Sequence, residues 1–403
     1  MKLFKYTEKE TPINYLDTDT QVEIPSTYNK KPFRALWVSN VVNIDLPTIE
    51  NIEEYKSQVI HMLDTCIEYN LSAIIFQVRT TNDAFYESKL NPFSRYLTMS
   101  EGNKPPFDIL KWIIEEATKR NLEFHAWCNP YRVSSDGKLS VEDYLATCDD
   151  LNYAKQHPED LVLDTKGKLI LNPTKPSVKK HIIDSMRELA TNYKISGIHF
   201  DDYFYPYSGL DENHDDSFEF ENREDKTMSL GDFRRANVNE VIKGVYHAIK
   251  EVDEHLQFGV SPFGIWKNKA SDPNGSNTAP SCSESYYNQY ADTVEWIKEG
   301  YIDYIVPQIY WEFGHKIAPF ADICDYWVKT CQNTTVKLYI GHGAYRLGNK
   351  GEFGNKEEII NQIKYANQFD SVTGNVFFTY KTFIDKEKSY EGMQLLKQLL
   401  NEV

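Results

Sequence analysis

The residues best placed to do chemistry stand in one short run, Gly197-Ile198-His199-Phe200-Asp201-Asp202-Tyr203-Phe204-Tyr205-Pro206. The run reads as a buried strand that ends in two adjacent carboxylates, three aromatic rings and a proline. Side chains alternate across a strand, so His199, Asp201 and Tyr203 are expected on one face and Ile198, Phe200 and Asp202 on the other. The second face begins apolar, as a surface covered by helices should, whereas a fold does not bury the polar groups of the first without a use. Glycoside hydrolysis needs two carboxyl groups, one held protonated as the acid and one ionised as nucleophile or base. Asp201 is the candidate for the ionised role, with Arg79 or Arg132 to keep it charged. Glu312, or else Asp202, is the candidate acid. Asp202 otherwise positions Arg132 or His199, or shares a proton with Asp201. Adjacent carboxylates repel, so one pKa is expected to rise if both are desolvated.

These groups need a frame, and the chain supplies one in a β-α rhythm. Predicted strands cover 33–39, 72–79, 122–128, 257–263, 303–311, 337–345 and 375–383, with the central one beginning at Gly197. Between and after them, apolar residues recur near every 3.6 positions, as in Ile49, Ile52, Val59, Met62, Leu63 and Cys66, and mark amphipathic helices. Later helices are expected over 286–299, 318–331, 356–369 and 389–400. Strict alternation implies a parallel sheet with crossover helices, and eight units close most naturally into a (β/α)8 TIM barrel. A doubly wound open sheet is the alternative, but no Gly-x-Gly-x-x-Gly follows the first strand. Residues 1–32 read as an N-terminal extension and 33–403 as the barrel domain, with long βα loops at 134–175 and 207–228.

Reacting groups in such barrels stand at the carboxyl ends of the strands. Those ends offer Ser39, Gln77, Arg79, Trp127, Asn129, Tyr131, Arg132, His199, Tyr203, Ser261, Trp266, Gln308, Tyr310, Trp311 and Tyr345 as well as the acids. Amides bind hydroxyls, and Tyr and Trp faces cover the apolar face of a sugar ring, so a glycan or oligosaccharide is the expected ligand. The eight acids within 207–228 read as a solvated lid, with no EF-hand spacing for calcium. Gly341-His342-Gly343 and the glycines to Gly354, with Arg346 and Lys350, keep open an enzyme acting on a phosphorylated small molecule. A barrel that binds carbohydrate without cleaving it is a further alternative.

A formal charge of −16 argues against nucleic acid and anionic membranes as partners. No run reaches the ~18 apolar residues of a membrane span. The six cysteines form no C-x-x-C pair and are expected to be free thiols, and no metal or cofactor motif is present. The opening residues hold no signal-peptide core, so a cytoplasmic location is expected, or an exported one if a leader has been removed.

Several motifs together carry a family resemblance. They are Arg34-Ala35-Leu36-Trp37-Val38, Gln77-Val78-Arg79 with Asp83-Ala84-Phe85-Tyr86, and Ala126-Trp127-Cys128-Asn129-Pro130-Tyr131-Arg132. The run 197–206, Val260-Ser261-Pro262-Phe263-Gly264-Ile265-Trp266 and Val306-Pro307-Gln308-Ile309-Tyr310-Trp311 complete the set. This ordered string, over roughly residues 33–345, resembles the glycosyl-hydrolase-like 10 family of bacterial barrels. The resemblance implies a (β/α)8 glycosidase, with some members acting on peptidoglycan glycan strands. It matches Asp201 and Asp202 to the family's strand-4 motif and Gln308, Tyr310 and Trp311 to its strand-6 motif. Glu312 lies just past that motif.

Overall fold

The computed structural model describes residues 1–402. Eight parallel strands close on themselves: β1 (Phe33–Val38), β2 (Ala73–Arg79), β3 (Glu123–Cys128), β4 (Gly197–Phe200), β5 (Gln257–Val260), β6 (Tyr304–Ile305 and Gln308–Ile309), β7 (Lys337–His342) and β8 (Val372–Phe378). Closure is made by β8, which pairs with β7 on one side and β1 on the other. The expected (β/α)8 TIM barrel is therefore the fold. Strands such as Ala73–Arg79 are buried along their whole length, as parallel strands covered on both faces must be.

Eight helices follow the strands: α1 (Ile52–Glu68), α2 (Ile109–Lys119), α3 (Pro176–Asn192), α4 (Leu230–Val252), α5 (Thr293–Glu299), α6 (Phe320–Cys331), α7 (Glu358–Asn367) and α8 (Tyr390–Asn401). Several begin on side-chain caps that satisfy orphan N–H groups. Asn51 accepts from Glu53 and Glu54, Asp108 from Lys111, and Ser229 from Asp232. Alternation along the strands divides the core into two layers. Leu36 and Val38 of β1 face the helices, whereas Phe33, Ala35 and Trp37 point inside the barrel with Ile75, Trp127, Tyr304 and Tyr339.

Element ends differ from the sequence expectation where backbone chemistry intervenes. The sixth strand breaks at Val306-Pro307, because proline has no N–H for a ladder bond. The helix expected over 286–299 is two pieces, Ser285–Asn288 and α5, separated by Tyr290 at φ 53° and restarted by the Asp292 cap. The connection after β3 is not structureless. It holds helix Val141–Ala146 and an antiparallel hairpin of Leu161–Leu163 with Leu169–Leu171.

The N-terminal extension folds back on itself and seats Leu3, Ile13, Val22 and Ile24 in the main core. Asp322 of α6 accepts from the Leu16 amide, and the Tyr15 and Tyr365 hydroxyls pair at 2.8 Å. All six cysteines are free, and among the described residues no helix is long and apolar enough to cross a membrane.

Inside the barrel, Gly259 of β5 leaves the space that Tyr304 occupies. A Cβ there would lie 2.0 Å from the ring. Gly259→Ala is expected to cost about 1–3 kcal/mol of stability, the range for overpacking a filled core. A lowered midpoint in urea unfolding would show it.

Candidate active site

At the carboxyl ends of the strands lies a cavity of about 360 Å³. Asp201 and Asp202 line it with Trp37, Ser39, Trp127, Arg132, Tyr203, Tyr207, Ser261, Gln308, Tyr310, Tyr345 and Phe378. The mouth continues past Arg132, Tyr203 and Tyr207 into a side cleft of about 170 Å³ that carries Lys166 and Lys168 from the hairpin.

Asp201 is buried and fully bonded. Trp127 Nε1 donates to its Oδ2 at 2.9 Å, Asn129 Nδ2 lies 3.0 Å from both oxygens, and the Tyr203 amide donates at 3.2 Å. The orientation of Asn129 follows from its other end. Its Oδ1 accepts from the amides of Arg132 and Tyr131, at 2.8 and 3.3 Å, so its NH2 must face the carboxylate. Neutral donors therefore hold Asp201, and not the arginines expected from sequence. Arg79 is buried behind, bonded to the Asn129 carbonyl at 3.3 Å and to Asn82 at 2.7 Å. Arg132 stacks its guanidinium 4.3 Å from the Tyr203 ring centre and reaches the Thr80 carbonyl.

Asp202 also reaches the mouth, contrary to simple strand alternation. The strand ends at Phe200, and the chain then turns. Burial, and next the charge of Asp201, push its carboxyl up to about 6, against the opposing bonds from Tyr207 and Gln308. The Tyr207 hydroxyl donates to Asp202 Oδ2. One carboxyl group is thus met by four donor contacts, while its neighbour, desolvated beside it, has its proton affinity raised.

Glu312 does not join them. After Trp311 the chain turns towards α6 and α7, with the Glu312 carbonyl accepting from the His315 and Phe320 amides. Its carboxylate acts on His315 and Glu358 instead of the mouth. Of the other expected contacts, Trp127, Arg132, Tyr203, Gln308, Tyr310 and Tyr345 line the cavity, and Asn129 supports it from behind. Gln77 is wholly buried and accepts from the Asn40 and Val41 amides, which fixes the loop after β1. Tyr131 is buried away from the mouth, Trp266 stacks on Tyr326, and Trp311 packs edge-on against Phe263.

His199 lies beneath the mouth. Trp37 Nε1 can only donate, so it fixes His199 Nε2, 3.2 Å away, as an acceptor. The imidazole proton then sits on Nδ1 and goes to the Tyr304 hydroxyl at 3.1 Å. Tyr304 in turn donates to His125 Nδ1 at 2.9 Å. Burial drives the His199 pKa well below 6.5, so the ring is neutral.

Sequence reasoning did not select Trp37, Tyr207 or Phe378. Trp37 and Phe378 carried the signal of inward-facing strand ends. Tyr207 carried none, because its role depends on how the following segment returns. That segment is pinned and not a loose lid. Asp216 is buried in an ion pair with Arg234 of α4 and accepts from the Tyr205 hydroxyl, while Glu219 pairs with Lys175. Most of its remaining acids are exposed, as expected. The glycine-rich loop after β7 is likewise committed to itself. Arg346 donates to the Tyr310 carbonyl at 2.7 Å, and the Gly348 amide to Phe353. Among the described residues, metal-ligating types gather at His157, Glu159 and Asp160 in the β3–α3 connection, where Tyr153 and Ser177 already donate to Asp160.

A (β/α)8 barrel with carboxyl groups between aromatic walls at its mouth has the form of a glycoside hydrolase. The family model described as glycosyl hydrolase-like 10 matches residues 32–357. The chain belongs to the glycosyl hydrolase-like 10 family and is a glycosidase. Glycosyl hydrolase YngK of Bacillus subtilis is 39% identical over 360 residues, which span 87% of this chain and 68% of that protein. Glycosyl hydrolase DigH of Escherichia coli K12 is 29% identical over 391 residues, 92% of this chain and 87% of that one. The glycoside hydrolase domain of PgaB (BpsB) from Bordetella bronchiseptica shares the fold at a TM-score of 0.55 and 10% identity, over 92% of this chain and 99% of that domain. α-L-Fucosidase isoenzyme 2 from Paenibacillus thiaminolyticus shares it at 0.52 and 10% identity, over 91% of this chain, which spans about half (49%) of the fucosidase.

The bond from Tyr207 favours the ionised form of Asp202, so its loss must favour the protonated one. In Tyr207→Phe the Asp202 carboxyl is expected to titrate at higher pH than in the wild type. Carboxyl 13C NMR of aspartate-labelled protein, assigned with Asp202→Asn, measures the shift.

Proposed function

We propose that this glycosidase cleaves O-glycosidic bonds in a bacterial glycan, peptidoglycan glycan strands or their fragments, with Asp202 as general acid and Asp201 as its ionised partner. One observation carries the reading. Two neighbouring carboxyl groups share a cavity yet meet opposite environments, and such a divergence separates acid from anion. Asp201 has four donor contacts; Asp202 is desolvated beside a negative charge. The walls suit the ligand, since Trp37, Trp127, Tyr310, Tyr345 and Phe378 offer apolar faces to sugar rings, while Ser39, Ser261 and Gln308 offer hydroxyls and an amide. Support for peptidoglycan comes from the family resemblance, and the glycosyl hydrolase names of YngK and DigH accord with glycosidase action.

Digestion of peptidoglycan glycan strands by wild type, Asp201→Asn and Asp202→Asn tests the assignment. Wild type should release reducing ends. Each variant should be slower by about 10²–10⁴-fold, the loss typical of a positioned acid or base. The roles separate on aryl glycosides, whose leaving group departs without protonation: Asp202→Asn should keep turnover there, and Asp201→Asn should not. Unchanged turnover in both variants would remove the pair from catalysis, and wild-type binding without cleavage would favour a carbohydrate-binding barrel.

The acid must be protonated to act. Because the folded-state pKa of Asp202 is raised, wild-type kcat should fall as pH climbs through about 6. An initial-rate profile of glycan digestion gives that limb directly.

A further inference from the structure

We infer that the nucleophile of this site is supplied by the substrate, so that the enzyme requires a 2-acetamido sugar at the bond it cuts. The inference rests on the glycosidase reading and concerns only how C1 is attacked. Among the described residues, the carboxyl groups lining the central cavity are Asp201 and Asp202, and the one in the side cleft, Asp164, is taken up by the Lys166 and Lys168 amides and the Ser208 hydroxyl. A direct mechanism needs two carboxyl groups flanking the sugar, about 5–5.5 Å apart for a covalent intermediate or about 6.5–9.5 Å apart with water between them. Here both come from consecutive residues directly after a single strand, β4, so neither is carried by an element on the far side of the barrel mouth. From β1, β6, β7 and β8 come Trp37, Ser39, Tyr310, Tyr345 and Phe378, with no acid to attack from across the ring.

Asp201 is also poorly built to attack. Trp127, Asn129 and the Tyr203 amide make four contacts to its two oxygens, and a nucleophile would have to surrender bonds of this kind to form one to carbon. The same contacts suit a fixed negative charge. A 2-acetamido group supplies what is missing, because its carbonyl oxygen can reach C1 of its own ring from the face opposite a 1,2-trans leaving group.

The steps balance without a further reactant. A lone pair of the acetamido oxygen forms a bond to C1. The bond from C1 to the leaving oxygen breaks with its electron pair, and that oxygen takes the proton of Asp202. The positive charge rests on the cyclic oxazolinium, with its N–H turned to Asp201. Water then bonds to C1 and gives a proton to Asp202, the bond from C1 to the acetamido oxygen breaks, and the acetamide re-forms. One water is consumed, nothing is oxidised or reduced, and the anomeric configuration is retained.

The test uses wild-type enzyme and one polymer in two forms. Peptidoglycan glycan strands are chemically N-deacetylated and then re-acylated with either acetyl or trifluoroacetyl groups. Fluorine leaves the shape nearly unchanged and draws electrons from the carbonyl oxygen. The re-acetylated strand should be cut like the native one, and the trifluoroacetyl strand about 10²-fold more slowly or worse, the scale of losing a positioned catalytic group. Equal rates on the two would overturn the inference and leave the glycosidase reading intact, as would a covalent ester on Asp201 found by mass spectrometry. If neither these strands nor the native strand is cut, both readings fall together.

Discussion

A carboxylate withdrawn from water has to be met by donors, and the mouth of this barrel is organised around meeting one of them. Asp201 follows β4, yet its side-chain donors come from β3 and the turn beyond it, where Trp127 supplies an indole and Asn129 an amide. Asn129 is held in turn by the amides of Tyr131 and Arg132, and its carbonyl by buried Arg79 of β2. Three consecutive strand ends therefore serve a single carboxyl group. Asp202 is met by Tyr207, its own backbone amide and Gln308, and these do not offset its burial beside the Asp201 charge. The difference between the two acids follows from who was given the donors.

Directly beneath the pair the barrel holds a polar but neutral ring, His199. The chain from Trp37 through His199 and Tyr304 to His125 has its direction set by the indole, which cannot accept. A neutral His199 places no imidazolium beneath Asp202 to draw its pKa down. The desolvation that raises Asp202 is thereby left uncompensated. Inward-facing polar residues on these strands thus do two things at once: they fill the barrel with satisfied hydrogen bonds, and at His199 they do so without a charge.

The barrel was legible because its signal is repetitive. Eight apolar runs, each followed by an amphipathic period, leave few topologies, and the strand ends then name the residues that face the mouth. Asp201, Trp127, Tyr203 and Tyr310 follow from that logic alone. Errors gathered where a side chain's direction depends on chain reversal and not on periodicity. Asp202 was placed on the wrong face because the strand stops one residue before the pair. Glu312 was placed in the mouth because a position just past a strand end says nothing about which way the chain turns. Arg79 and Arg132 looked like partners for an acid on charge alone, whereas the geometry gives that place to an indole and an amide, groups without a charge to advertise. The acids of 207–228 looked uniformly solvated, and Asp216 among them is the buried anchor.

Tyr207 belongs to none of the eight strands or helices of the barrel. It opens the inserted segment between β4 and α4, and that segment is moored to the scaffold by Asp216 and Arg234. The proton affinity of Asp202 is therefore written partly in a loop, while the donors that hold Asp201 are written mainly in the strands. Loops tolerate exchange and strands do not. A lineage carrying this barrel can reset the proton affinity of Asp202 by replacing an insertion, with its core inherited unchanged.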